Sequence, residues 1–86
     1  MKYIMFKRQF GSLTKYVPVI FPKEEIHSNI AEALLAGPLK GAVVHSAGEI
    51  DLALGVATGR SQTLGVQFDP TDGDRIAMCD YGGCFE

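Results

Sequence analysis

The sequence predicts an α+β domain: a mainly antiparallel sheet of about four strands, one main helix packed on it and a possible short C-terminal helix. Three observations point there. Apolar residues alternate at period two in "KYIMFKRQ" and again in "EIDLALGV". One segment, "PKEEIHSNIAEALLAGP", carries helical spacing instead. Short turns rather than long crossovers join most of the strands, so hairpins dominate. The 86 residues make one domain, expected over 1–81, with a loose tail over 82–86.

In the first strand Ile4 and Phe6 point one way, and Tyr3 and Met5 the other. Gly11-Ser12 supplies a two-residue turn, and "TKYVPVIF" returns. Pro18 lacks the ladder N–H, which places this strand at an edge or gives it a bulge. The helix is expected over about 23–36. Pro22 suits its first turn, Glu24 and Glu25 suit the positive end of its dipole, and Gly37-Pro38 stop it. Ile26, Ile30, Ala33 and Leu34 form its apolar stripe.

Val43 and Val44 open the next strand, and the small residues of "SAG" mark a bend or bulge. Ile50, Leu52, Leu54 and Val56 then read as one buried face. After the corner "TGRSQ", Leu64, Val66 and Phe68 alternate as a further strand. In "DPTDGDRIAMCDYGG" Asp69 can cap a helix, Pro70 can take its first position and Asp72 its third. Ile76 and Cys79 would share its inner face. Gly73 weakens that helix by up to about 1 kcal/mol relative to alanine.

Composition narrows function. The apolar fraction of 47% argues against disorder, and the net charge of −2 with scattered cations argues against nucleic acid as partner. No apolar run approaches a membrane span, and the run before Lys7 is too short for a signal-peptide core. A cytoplasmic location is expected, with Cys79 and Cys84 reduced.

The segment "TGRSQTLGV" raises the question of a phosphate loop. Gly59 and Gly65 are six apart, no lysine follows, and a strand rather than a helix comes next, so the P-loop pattern fails. The segment reads as a strand corner, with Gly59 at positive φ and Ser61 bonding the local backbone. Arg60 reads as a solvated turn residue or an anchor for a partner's carboxylate. His27 reads as a partly exposed histidine one turn after Glu24. His45, Ser46 and Glu49 lie close in sequence, but triads are assembled in space and Ser46 has no nucleophile elbow. Cys79 and Cys84 lack the partners that a structural zinc site needs, and Asp69, Asp72 and Asp74 miss the calcium-loop register, leaving a helix cap and a solvated turn. Neither a metal nor a cofactor is expected.

The segments "YVPVIFPKEEIHSNIAEAL", "VVHSAGEIDL" and "TGRSQTLGV" resemble a group of small uncharacterised proteins common in phages and prophages. Those open with a Met-x-Tyr-Ile strand, carry "VPVIFP" before a helix, and continue with "SAGE" or "SAGF" and a Gly-Arg-Ser turn. The resemblance spans roughly residues 1 to 66. It departs at "DPTDGD", where an Arg-Pro-Glu-Asp helix start would be expected. It implies a phage or prophage origin and no activity or catalytic residues.

The leading expectation is therefore a non-enzymatic protein-binding module, whose partner is a host or phage protein or a second copy, with no nucleic acid and no membrane. Its expected surface is the open hairpin face carrying Tyr3, Met5, Tyr16 and Ile20, with Arg60 at the rim. The alternatives are a small enzyme or ligand-binding protein with a cleft around His45, Glu49 and Arg60, and a structural or assembly component.

Overall fold

The computed structural model describes residues 1–78, so the expectations for Cys79, Cys84 and the tail at 82–86 lie outside the described residues. The elements are β1 (Lys2–Phe10), β2 (Leu13–Phe21), α1 (His27–Leu35), β3 (Val43–Asp51), β4 (Val56–Thr58), β5 (Arg60–Ser61), β6 (Val66–Gln67) and α2 (Asp72–Met78). Four strands make an antiparallel sheet in the order β2-β1-β3-β4, and β5 pairs with β6 in a separate ribbon. The α+β class, the edge position of Pro18 on β2 and the short C-terminal helix all match expectation.

Strand β1 lies between β2 and β3 and is buried on both sides at Tyr3, Ile4, Met5 and Phe6. Alternation divides its side chains between two cores. Ile4 and Phe6 join Val17, Val19 and Phe21 against Ala31 of α1, with Leu39, Ala42 and Ala47. Tyr3 and Met5 join Ile50 and Ala57 against Ile76 of α2. The second sheet face is therefore covered, which corrects the expectation of an open hairpin face: Tyr3 and Met5 are fully buried, and Tyr16 and Ile20 are half-buried against the same core.

Helix α1 starts four residues later than expected. Pro22 opens a tight turn instead, in which the Glu25 N–H donates to the Pro22 carbonyl at 3.1 Å. Lys2 Nζ ties that turn to the sheet by donating to the Glu25 carbonyl at 2.8 Å. The buried stripe shifts accordingly. His27 and Ala31 are buried, with Ile30, Leu34 and Leu35 half-buried, whereas Ile26 and Ala33 are exposed.

The apolar alternation after Ile50 does not continue as a strand. Asp51 Oδ1 accepts from the N–H groups of Ala53 and Leu54 at 3.0 and 3.1 Å, and the Gly55 N–H donates to the Asp51 carbonyl at 2.8 Å. A side-chain acceptor at that position offers the backbone a turn in place of the ladder. Leu52, Leu54 and Val56 are left exposed. The last expected strand likewise shrinks to Val66–Gln67.

Gly73, which weakens the helical reading of α2, is required there by packing. A Cβ at this position would run into the Gly55 carbonyl oxygen, because α2 lies directly on the β3–β4 turn. Helix propensity alone favours Gly73→Ala by about 1 kcal/mol. We expect the opposite sign: Gly73→Ala lowers the urea midpoint. Phe6→Ala, which empties a fully buried site, should cost about 3–5 kcal/mol in the same melts. The half-buried Leu34→Ala should cost less than Phe6→Ala.

Candidate functional site

The densest set of polar side chains lies between β3 and the start of α2. Its origin is a bulge. Met5 pairs with Ser46 and Phe6 with Val44, which leaves His45 as an extra residue in β3. Val44 and Ala47 both pack in the core on the α1 side. The two residues between them instead engage the α2 segment: His45 reaches Asp69 and Ser46 reaches Asp72. The bend expected at "SAG" thus falls one residue earlier, with a defined consequence.

Asp69 and Asp72 begin as helix-start residues. Asp69 Oδ1 accepts from the Thr71 N–H at 2.8 Å, and Asp72 Oδ2 accepts from the Asp69 N–H at 3.3 Å. This is reciprocal capping, as the three-residue spacing allows. Asp72 is not a solvated turn residue, however. It is 0% exposed and takes hydrogen bonds from Tyr3 Oη at 2.6 Å, from Ser46 Oγ and from Arg75 Nη1 at 2.9 Å. Arg75 Nη1 also donates to Asp69 Oδ2 at 3.1 Å, beside His45 Nε2 at 2.8 Å. Tyr16 closes the cluster. Its ring lies 4.0 Å below the Arg75 guanidinium, and the His45 ring meets it edge-on at 5.1 Å.

Ionisation follows from these contacts. Burial, reinforced by the Asp72 carboxylate, pushes the Tyr3 phenol far above its ordinary range. The Thr71 amide, then His45 and Arg75, hold the Asp69 carboxyl well below the usual carboxylate range. Burial opposes the charge of Arg75, but the carboxylates of Asp72 and Asp69 outweigh it. The Asp69 carboxylate can only accept, so His45 carries a proton on Nε2.

His45, Asp69 and Asp72 also have the composition of a cation site, with one ligand atom from each lying within 4.8 Å of the others. Their donors and acceptors fit a guanidinium better. Each carboxylate oxygen already accepts at least one hydrogen bond, and the Arg75 Nη1 bridges both groups. A metal ion would have to displace that internal cation. Nucleophilic chemistry fares no better: the Ser46 hydroxyl is buried and donates to Asp72, while His45 bonds Asp69, so no hydrogen bond links serine to histidine among the described residues. His45, Ser46 and Asp69 do border a shallow surface groove of about 560 Å³, across from Val66, Gln67 and Phe68.

The other sequence candidates lie elsewhere. Glu49 alternates with Ile50, which faces α2, and so projects to the α1 side. Arg60 lines a separate cavity with His27 of α1. The sheet stands between this pair and His45, which rules out the shared cleft of His45, Glu49 and Arg60. His27 is buried rather than partly exposed. Its Nε2–H donates to the Gly48 carbonyl at 3.0 Å and its ring meets Phe21 edge-on; among the described residues it forms no ion pair with Glu24. The strand corner holds as read: Gly59 has φ 79°, and Ser61 Oγ accepts from the Leu64 N–H at 3.2 Å.

Two measurements test the network. Tyr3→Phe removes one donor from a buried carboxylate and should cost about 1–3 kcal/mol. It should also flatten the alkaline limb of the stability profile. A phenol whose folded pKa is raised stabilises the fold below its unfolded value, about 10, and that contribution is lost as pH rises. Asp69 acts at the other end. Its depressed carboxyl stabilises the fold above the unfolded value, about 4, and the contribution is lost as pH falls. Asp69→Asn should therefore be less stable at neutral pH and less sensitive to acid, as read from urea midpoints between pH 2 and 7, on the order of the carboxylate range.

No family model matches the chain, and neither the curated proteins nor the solved structures contain a detectable match to it.

Proposed function

We propose that the chain is a non-enzymatic protein-binding module of phage or prophage type that acts on a host or phage protein in the bacterial cytoplasm. The observation that carries this reading is an arm at the end of the first hairpin. Strand β3 accompanies β1 only from Lys2 to Lys7, whereas the β1–β2 ladder continues through Arg8↔Lys15, Gln9↔Thr14 and Phe10↔Leu13. These last three pairs project beyond the four-stranded sheet. At their tip Phe10 is 52% and Leu13 65% exposed.

The arm's electrostatics favour an acidic partner. Arg8 and Lys15 are directly opposite each other, an arrangement that destabilises a strand pair. Among the described residues neither forms an ion pair. The Arg8 guanidinium lies 5.4 Å from the centre of the Phe10 ring, joining the cationic and apolar parts. A partner carboxylate would relieve the repulsion while Phe10 and Leu13 supply the apolar anchor. A second copy would bring the same cations together, which favours a different protein over a homodimer through this arm. The phage-type resemblance of residues 1 to 66 supports the same reading. No helix among the described residues is long and apolar enough to cross a membrane.

Immobilised protein should capture a discrete acidic protein from bacterial lysate. Phe10→Ala with Leu13→Ala, or Arg8→Glu with Lys15→Glu, should reduce that capture at least tenfold. Leu54→Ala, an equally exposed apolar truncation at the opposite end of the sheet, should leave it unchanged. Capture that survives both arm variants overturns the assignment.

A further inference from the structure

Arg60 takes no part in the arm and lies across the sheet from His45, yet its surroundings are specific. Beside the start of α1 is a cavity of about 330 Å³ lined by Lys2, Ile26, His27, Arg60, Gln62 and Thr63. These residues come from β1, the start of α1, β5 and the β5–β6 turn, so the fold as a whole brings them together. We propose that this cavity binds a phosphate group, free or carried by a small molecule.

The lining consists of an ammonium, a guanidinium, an imidazole, an amide, a hydroxyl and one apolar side chain, with no carboxylate. It lies in a protein of net charge −2, so its sign is opposite to that of the whole. Lys2 and Arg60 form no ion pair among the described residues. Glu49 is the cross-strand partner of Lys2 but does not line the cavity. The Lys2 ammonium is anchored by one hydrogen bond to the Glu25 carbonyl, which leaves two of its three donors for a ligand. Thr63 is held by the Ser28 N–H, which donates to its Oγ1 at 3.2 Å. That helix amide is thereby occupied, and the side chains rather than the helix end supply the attraction.

Arg60 is placed by the corner itself. Gly59 turns the chain out of β4 at φ 79°, and its carbonyl accepts from the Phe68 N–H at 3.0 Å. Arg60 then pairs with Gln67 at the start of the ribbon. Two cations that line one cavity and form no ion pair among the described residues suit a dianion better than a single carboxylate, since each contributes a charge-assisted hydrogen bond; the Glu49 carboxylate, beside Gly59 but outside the lining, is the internal charge with which the ligand competes. The segment "TGRSQT" is thus a strand corner in backbone geometry, and its arginine, glutamine and threonine side chains form one wall of an anion site.

The test is a titration of labelled protein with inorganic phosphate at constant ionic strength, followed by amide resonances of Ser28, Arg60 and Thr63. Saturable shifts confined to this cavity are expected, weakened at least tenfold by Arg60→Gln and partly retained in Arg60→Lys. Lys2→Gln is the second variant, and a thermal melt of each checks that the fold is intact. Acetate at the same concentration should give weaker shifts. Linear shifts, equal shifts with chloride, shifts unchanged in Arg60→Gln, or saturation by acetate but not phosphate would each overturn the proposal. Phosphate binding does not depend on the hairpin arm, so Phe10→Ala with Leu13→Ala should leave it unaltered.

Discussion

The Asp72 carboxylate, sealed from solvent beneath the sheet, is the contact on which the architecture depends. A buried charge is costly unless it is paired and hydrogen-bonded. Here Tyr3, Ser46, Arg75 and the Asp69 amide all donate to it. Those groups come from the central strand, the bulged strand, the helix and its leading turn. The seven residues of α2 are too few to be helical in isolation. Its place on the sheet comes from this network together with Ile76 and the close approach of Gly73 to Gly55. Without α2, Tyr3 and Met5 would face water.

Once α2 is docked, both faces of a four-stranded sheet are covered by a chain of 86 residues. The sheet then acts as a wall. Polar residues that are neighbours in sequence, such as His45 and Glu49, end on opposite sides of it, while Lys2 and Arg60, far apart in sequence, line one cavity. Exposed apolar groups are paired at the two ends, Phe10 and Leu13 at one and Leu52 and Leu54 at the other, while Ile26 and Val43 are exposed singly between them. A surface displaced to a hairpin end presents little area but few geometric constraints to a partner.

Much of the fold was legible where the signal is local. The first hairpin, the edge proline, the bulge near "SAG", the strand corner and the alternation of Ile4 and Phe6 against Tyr3 and Met5 all follow from neighbouring residues. A local signal misleads where it has two readings. Pro22 with two glutamates suits a helix start and a tight turn equally, and the tertiary hold of Lys2 on Glu25 selects the turn. Leu52 and Leu54 continue a period-two pattern, but Asp51 ends the strand with its side chain. Gly73 looked like a defect in a helix because its reason lies in a contact with Gly55, eighteen positions away. The candidate site was the least legible part. Asp69 and Asp72 carry a readable capping spacing, whereas the Tyr3–Asp72 bond joins residues separated by 69 positions, and no local pattern announces it.

The bulge in β3 has a bearing on how this chain could vary. Between Val43 and Glu49 the strand holds one residue more than its ladder with β1 has rungs, and that residue is His45. Val44 on one side of it and Ser46 on the other already pair with adjacent positions of β1, as they would in a regular strand. A deletion of His45 alone would leave every other side chain of β3 on its present face, because the period of two on each side is unbroken. The sheet could shed this histidine without a change of register, and would lose with it the contact that joins the strand to Asp69. The length of β3 is thus set by the polar cluster it serves, and the ladder only tolerates it.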